Sequence, residues 1–374
     1  MEQRADVAIV GAGIAGLAHA YMALQKGYKV VLFEREAFAI GASVRNFGLI
    51  WPIGQLPGEG LELAMRAREH WIKLAEQNVF WLNQNGSLHA VHHHDELGVL
   101  EEFMDLYKDT PYQCNMLSPE EAIKKSPALK RSGLKGALYS KTECTVYSRD
   151  AVRQLAQWLQ SKYGLIIKFG CLVKEITLPE VVTNQGTWKV EKAIVCSGAD
   201  FETLYPNEFQ QSVIVKCKLQ MMKAVTNESL SIGPSLCGGL TLRHYAAFSK
   251  CPSLKQVIDR YDQQQPQFST HGIHVLVAQT QAGELILGDS HHYGQTLEPF
   301  DEEQIHDLIL GYLNTFTELH ELKITQRWNG VYAKLKEGLF MTTTPAPGVT
   351  IVNGLGGAGM TLSFGVAERI VDAL

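Results

Sequence analysis

The residues best suited to chemistry begin at Gly11-Ala12-Gly13-Ile14-Ala15-Gly16, a G-x-G-x-x-G run. Gly11 allows a tight turn, Gly13 lets a pyrophosphate approach the backbone, and Gly16 lets a helix pack against a strand. Ile14 and Ala15 open that helix, whose N–H groups and partial positive charge favour phosphate. Glu34, followed by Arg35, lies near the spacing at which an acid accepts hydrogen bonds from ribose hydroxyls. A carboxylate there repels a 2′-phosphate, so NADP is disfavoured. The segment 41–48 supplies Ser43, Arg45, Asn46, Phe47 and Gly48. Small residues with a hydroxyl and an amide suit a chain pressed against an extended cofactor; an ordinary polar loop is the alternative.

Anion recognition falls to arginines. Leu240-Thr241-Leu242-Arg243-His244-Tyr245-Ala246 alternates like a strand, with Arg243 and Tyr245 on one face and His244 beside Leu242 on the other. An arginine on a cleft-facing strand grips a carboxylate or phosphonate through two parallel hydrogen bonds; a solvent-facing arginine is the other reading. Arg327 is either an anion-binding group or an interface salt bridge. Arg45 has three readings: neutralising phosphate, attracting substrate, or holding structure. Trp51 and Gln55 either line a pocket or pack beneath it. His291 and His292, after Gly288-Asp289-Ser290, read as rim residues at the open end of a strand. The His92-His93-His94 run lacks a carboxylate or cysteine at ligand spacing, so no metal site is expected.

These groups need elements to position them. Asp6-Val7-Ala8-Ile9-Val10 reads as a buried parallel strand, 14–26 as a helix stopped by Gly27, and 29–34 as a second strand. Helices are expected over 59–77, after Ser118 as N-cap, over 151–162, over 301–316 and over 362–373. Residues 166–176 and 186–196 read as strands, with the backbone near Val173 beside an adenine. The stretch 213–288 is strand-rich, with strands at 218–224, 239–249, 273–279 and 284–289 and a hairpin turn at Gln281-Ala282-Gly283. Another strand covers 322–333, and Gln263-Gln264-Gln265 reads as a brief polar loop.

The 374 residues suggest about two domains, and 45% hydrophobic content suffices for a sizeable core. A net charge of −5 without a long basic run argues against nucleic acid as partner. Seven cysteines are scattered without a CxxC pair, which disfavours a disulfide framework and a zinc site. Reduced thiols and a cytoplasmic location are expected. The uncharged stretches 7–25 and 348–367 are broken by clustered glycines, so neither a signal peptide nor a transmembrane segment is expected.

The sequence resembles the D-amino-acid oxidase-like flavoproteins, the family of glycine oxidase and sarcosine oxidase. Three stretches carry the resemblance across nearly the whole chain. They are VAIVGAGIAGLAHAYMALQKGYKVVLFERE with the following GASVRNFG, KAIVCSGADF at 192–201, and the C-terminal IVNGLGGAGMTLSFGVAERIV. The resemblance implies an α/β chain (α+β overall), with a Rossmann-like FAD-binding domain and a smaller antiparallel-sheet substrate domain. The FAD-binding domain would be discontinuous over 1–80, 148–212 and 322–374, and the substrate domain would take 81–147 and 213–321. FAD contacts are implied at Cys196, Ser197, Gly198 and Ala199, and for Arg327 on the strand leading to the C-terminal turn. They are implied too at the turn itself: Gly354, Gly356, Gly357, Ala358, Gly359, Met360 and Thr361. A helix N-terminus there would stabilise negative charge on reduced flavin. Some sarcosine oxidases tether flavin through a cysteine upstream of this turn; 338–342 has none, so FAD is expected to be non-covalent.

Such enzymes pass hydride from the carbon beside nitrogen to the flavin, and the imine hydrolyses in water. No acid–base pair is needed if the amine arrives neutral, so no catalytic residue is assigned. SVRNFGLIWPIGQ, GLTLRHY and GDSHHYG look most like a subgroup associated with aminophosphonate breakdown. That likeness implies aminoalkylphosphonates or their N-methyl derivatives as substrates, O2 or another electron acceptor, and convergence of Arg243, His244, Arg327 and Arg45 on the phosphonate. Oxidation of a D-amino acid, glycine or sarcosine is the alternative. An FAD-binding redox module without turnover is an alternative of another class. Members that modify tRNA fit the acidic balance poorly.

Overall fold

A computed structural model describes residues 3–226 and 230–374. Short apolar runs build its first sheet. Val7–Val10, Val30–Phe33 and Lys192–Val195 are almost wholly buried, as strands covered on both faces must be. The six-stranded order is Met341–Ala346, Val349–Asn353, Lys192–Val195, Val7–Val10, Val30–Phe33, Ile166–Lys168. All pairings are parallel except that of the Met341–Ala346 edge strand. Helix Ile14–Gln25 packs on this sheet and against the C-terminal helix Gly359–Asp372. Glu59–Glu76 covers the C-terminal helix in turn, so both ends of the chain share one core with Trp71 and Phe364 at its centre.

The second sheet has nine strands. Its path runs His292–Gly294, Ile214–Val225, Leu285–Gly288, Leu276–Gln279, Ser235–Gly238, Ser87–Val91, Gly136–Ser140, Cys114–Leu117, with Lys323–Leu335 also paired to Ile214–Val225. It is antiparallel apart from the parallel pair Ser235–Gly238 and Ser87–Val91. This largely antiparallel sheet has more strands than the first, nine against six. Long strands Ile214–Val225 and Lys323–Leu335 pair along almost their whole length and carry this sheet to the edge of the first.

Several local expectations change. Residues 239–249 are two 3-10 turns, Gly239–Arg243 and Ala246–Phe248, rather than a strand. The chain there is pressed against its neighbours: Leu240 N donates to Tyr312 Oη at 2.7 Å, and a Cβ on Gly239 would overlap the Glu96 carboxyl. Gln263 and Gln264 close a helix, Leu254–Gln264, whose Leu254, Val257 and Tyr261 are buried at helical spacing. His94–Leu106 is a helix begun by a His93/Glu96 capping box, with Val99, Leu100 and Phe103 inward. The expected 166–176 strand divides, because Val173–Thr177 leaves the first sheet for a separate three-stranded one with Glu180–Thr183 and Gly186–Lys189. Among the described residues no helix is long and apolar enough to cross a membrane.

Candidate cofactor and substrate site

Two cavities, of about 390 and 300 Å3, lie where the sheets meet. They share Ile14, Ser43, Arg45, Tyr332, Gly354 and Gly356 as a common wall, so they form one bent channel. The first holds the outer end of Val7–Val10 and the start of Ile14–Gln25, with Gly11, Gly13, Ala15, Glu34 and Arg35 on its surface. Gly11 has φ +101°, and a Cβ there would come within 2.4 Å of the Cys196 carbonyl oxygen. Glu34 braces the turn: its Oε2 accepts from Ala12 N at 2.9 Å and its Oε1 from Glu36 N at 3.0 Å. Ser43 Oγ accepts from Ile14 N at 2.8 Å, which ties the 41–48 loop to the helix start. Val173, Cys196, Ser197, Gly198 and Ala199 complete this end. Burial pushes the Cys196 thiol up to about 12, so it stays protonated.

The second cavity receives the C-terminal turn. Gly357, Ala358, Met360 and Thr361 line it alone, while Gly354, Gly356 and Gly359 border both cavities. Thr361 Oγ1 accepts from Trp51 N at 2.9 Å, and Met360 O accepts from Trp71 Nε1 at 2.8 Å, which fixes the start of Gly359–Asp372. Asn46, Phe47, Trp51, Gln55, His244, Tyr245 and His291 face this space.

Five sequence candidates lie outside the channel, among them His292, whose Nε2 lies 3.3 Å from His271 Nδ1. Gly16 sits beneath it, where a Cβ would fall 1.9 Å from Gly11 O, so its part is helix packing. Gly48, at φ +76°, lets Val146 approach and accepts from Val146 N at 2.8 Å. Arg243 turns away because its segment is a 3-10 turn; its Nη1 donates to Ser269 Oγ at 2.8 Å and meets Asp262 Oδ1 at 3.3 Å. Arg327 pairs with Glu303 at 2.7 Å and lines a third cavity of about 1090 Å3 with Phe38 and Arg149, which borders the channel at Ala39, Ile40 and Arg45 but does not bring Arg327 to it. Arg243→Ala should therefore leave the KM for an anionic amine within about twofold, while loss of the largely buried guanidinium's bonds to Asp262 and Ser269 should cost about 1.5–3 kcal/mol. Steady-state kinetics and thermal unfolding check both.

The cavity also gathers residues that the sequence did not single out: His274, Asp289, Tyr332 and Lys334. His274 Nδ1 lies 3.1 Å from Asp289 Oδ1. Burial pushes His274 down to about 3 and Asp289 up to about 6, so at neutral pH the pair is a neutral imidazole donating to a carboxylate. Burial likewise holds the Tyr245 and Tyr332 phenols protonated. Arg45 donates to the Asn329 carbonyl at 3.2 Å and Lys334 to Tyr293 Oη at 3.3 Å; among the described residues neither meets a carboxylate. Alternation along Lys323–Leu335 was the available signal, since it puts Tyr332 and Lys334 opposite Arg327. No group of three or more His, Cys, Asp or Glu among the described residues could hold a metal ion.

The residues fit an extended dinucleotide. At one end is a glycine cradle that a Cβ would fill, with an acid for ribose. At the other are two buried nitrogens without a partner, Trp51 Nε1 and His274 Nε2, in residues that border the cavity.

The profile of the DAO family, described as FAD dependent oxidoreductase, matches residues 6–373. A glycine oxidase of Geobacillus kaustophilus (strain HTA426) is 24% identical over 210 residues, 53% of this chain and 56% of that relative. The chain thus spans little more than half the length of that curated relative. The crystal structure of glycine oxidase from Geobacillus kaustophilus superposes with a TM-score of 0.80 at 18% identity, over 100% of this chain and 94% of that one. L-proline dehydrogenase from P. horikoshii gives 0.81 at 19% identity, over 100% and 93%. At these identities the likeness is one of fold.

Proposed function

The chain belongs to the FAD-dependent oxidoreductase (DAO) family, and from that premise we propose that it oxidises a small anionic amine, an aminoalkylphosphonate or its N-methyl derivative. Bound FAD would supply the acceptor for a hydride from the carbon beside the amine nitrogen. The observation that carries the substrate class is the pair of cations without carboxylate partners, Arg45 and Lys334, on the cavity at the C-terminal turn. A half-buried cation without a counter-charge favours an anionic ligand, and a phosphonate offers three acceptor oxygens to two such donors. Among the described residues Asp289 is the only acid lining this cavity, and it is occupied by His274.

The chain's own work is orientation. Arg45 and Lys334 hold the anion, Trp51 and Tyr245 bound the space, and the N-terminus of Gly359–Asp372 sets a favourable potential for negative charge on a reduced cofactor. Non-covalent FAD accords with a protonated Cys196; flavin staying with acid-precipitated protein would contradict it. A carboxylate substrate is the second reading, favoured by the glycine oxidase and L-proline dehydrogenase likenesses. Anaerobic titration of the purified protein, followed by visible absorbance, tests both. N-methylaminoethylphosphonate should bleach the flavin with higher catalytic efficiency than sarcosine does. The reverse order sinks the phosphonate assignment, and a flavin left oxidised by every amine points to a redox module without turnover.

A further inference from the structure

A small aliphatic amine in neutral water is an ammonium ion, and its carbon cannot release hydride while the nitrogen pair is bound to a proton. A proton must leave first, and one end of the cavity is built to take it. His244, His274 and the neighbouring Asp289 and His291 meet there from three segments. His244 is open to the cavity, and neither of its ring nitrogens is hydrogen-bonded within the described residues. Its ring lies flat on His274, with centroids 4.0 Å apart and 12° between planes, and 4.6 Å from His291. His274 is locked from behind. Its Nδ1 meets Asp289 Oδ1 at 3.1 Å, its N donates to Asp289 O at 2.9 Å, and Asp289 N donates back to His274 O. His291 Nδ1 faces Gly272 O at 2.8 Å, and its Nε2 stands 3.8 Å from Asp289 Oδ2. One carboxylate thus backs two of the three imidazoles; His274 Nε2 also lacks a partner but is buried, and among the described residues it is the His244 ring that stands exposed to the open space.

Given amine oxidation as proposed above, we infer that His244 accepts the proton of the substrate ammonium, with His274 and Asp289 as its positioning residues. The ammonium N–H bond breaks, the proton bonds to a ring nitrogen of His244, and the electron pair stays on the now neutral amine. The proton later returns to water through the cavity mouth. The groups facing His244 account for its timing. Although its ring is open to the cavity, the surrounding protein walls desolvate it, and His274, His291, Lys334 and Arg243 lower its proton affinity further, so the ring is neutral before substrate arrives. Tyr245 and Tyr332 remain protonated phenols, and Asp289 supplies the one negative charge. An incoming anion offsets the field of Lys334, which ranks after desolvation and the two imidazoles among these causes, and so favours the transferred proton.

The holoenzyme with His244→Gln tests this. At pH 7, flavin reduction by N-methylaminoethylphosphonate should slow by on the order of a hundredfold. The rate should recover about tenfold per pH unit towards the amine's own pKa, whereas the wild type stays flat over that range. A second readout needs no turnover. 2-Amino-2-methylpropylphosphonate has no hydrogen on its amine carbon, and on binding it should convert His244 to imidazolium in 15N-histidine spectra of the wild-type holoenzyme. A His244 ring that stays neutral in that complex, while the oxidisable amine still bleaches the flavin, overturns the base and leaves amine oxidation standing. An equal loss of rate at every pH in His244→Gln overturns it too, marking a structural role. If no aminophosphonate or amino acid reduces the wild-type flavin, the amine-oxidation reading fails and this inference falls with it.

Discussion

Gly11→Ala is expected to yield a folded protein that has lost most of its affinity for FAD. The residue sits at φ +101°, where an L side chain is strained, and its Cβ would stand 2.4 Å from the Cys196 carbonyl oxygen. The φ penalty alone is on the order of 1–3 kcal/mol. The overlap must be relieved by moving either the turn or the Cys196 segment, and both line the same cavity. Since about 1.4 kcal/mol is tenfold in affinity, FAD binding should weaken by tenfold or more. Gly27→Ala is the control. It too has positive φ, +86°, but open space around it and no place on the cavity. It should cost comparable stability and leave the flavin in place. Fluorescence titration with FAD, alongside circular dichroism, separates the two variants. Equal FAD affinity in Gly11→Ala and wild type would sink the cradle as described.

What made the cofactor end legible is that its signal is local. Strand, glycine turn, helix and Glu34 lie within one unit, and each residue's task follows from backbone sterics. The C-terminal turn was legible for the same reason, since small residues before a helix have few other uses. The substrate end is not local. His244, His274, Asp289 and Lys334 come from separate segments that only the nine-stranded sheet unites. Two of the arginines were misplaced for identifiable reasons. Alternating residues around Arg243 suggested a strand, but the tight passage by Tyr312 and Glu96 wound the segment into 3-10 turns, and the guanidinium turned towards Asp262. Around Arg327 the strand is real, yet a period of two sends Arg327 and Lys334 to opposite faces, and the arginine met Glu303 instead. Type alone favoured arginine; register favoured lysine.

That register makes Lys334→Met the sharpest test of the anionic-substrate reading. Methionine keeps the length of the stem and removes the ammonium, so packing of the stem against Gly356 should survive while the contacts of the charge with Tyr293 are lost. A charge-assisted hydrogen bond in a partly buried site contributes about 1.5–3 kcal/mol, which predicts a rise in KM for N-methylaminoethylphosphonate of roughly ten- to a hundredfold. Catalytic rate at saturation should change much less, because the anion is held equally before and during hydride departure. A neutral amine of the same length should show no such loss, since it never used the lysine. The comparison also discriminates between anions. A phosphonate dianion shared by Arg45 and Lys334 loses one of two partners, whereas a carboxylate held by Arg45 alone would lose almost nothing. An unchanged KM for the phosphonate would remove Lys334 from the site. With it would go the charge argument for an anionic substrate, because Arg45 alone is equally explained by a cofactor phosphate.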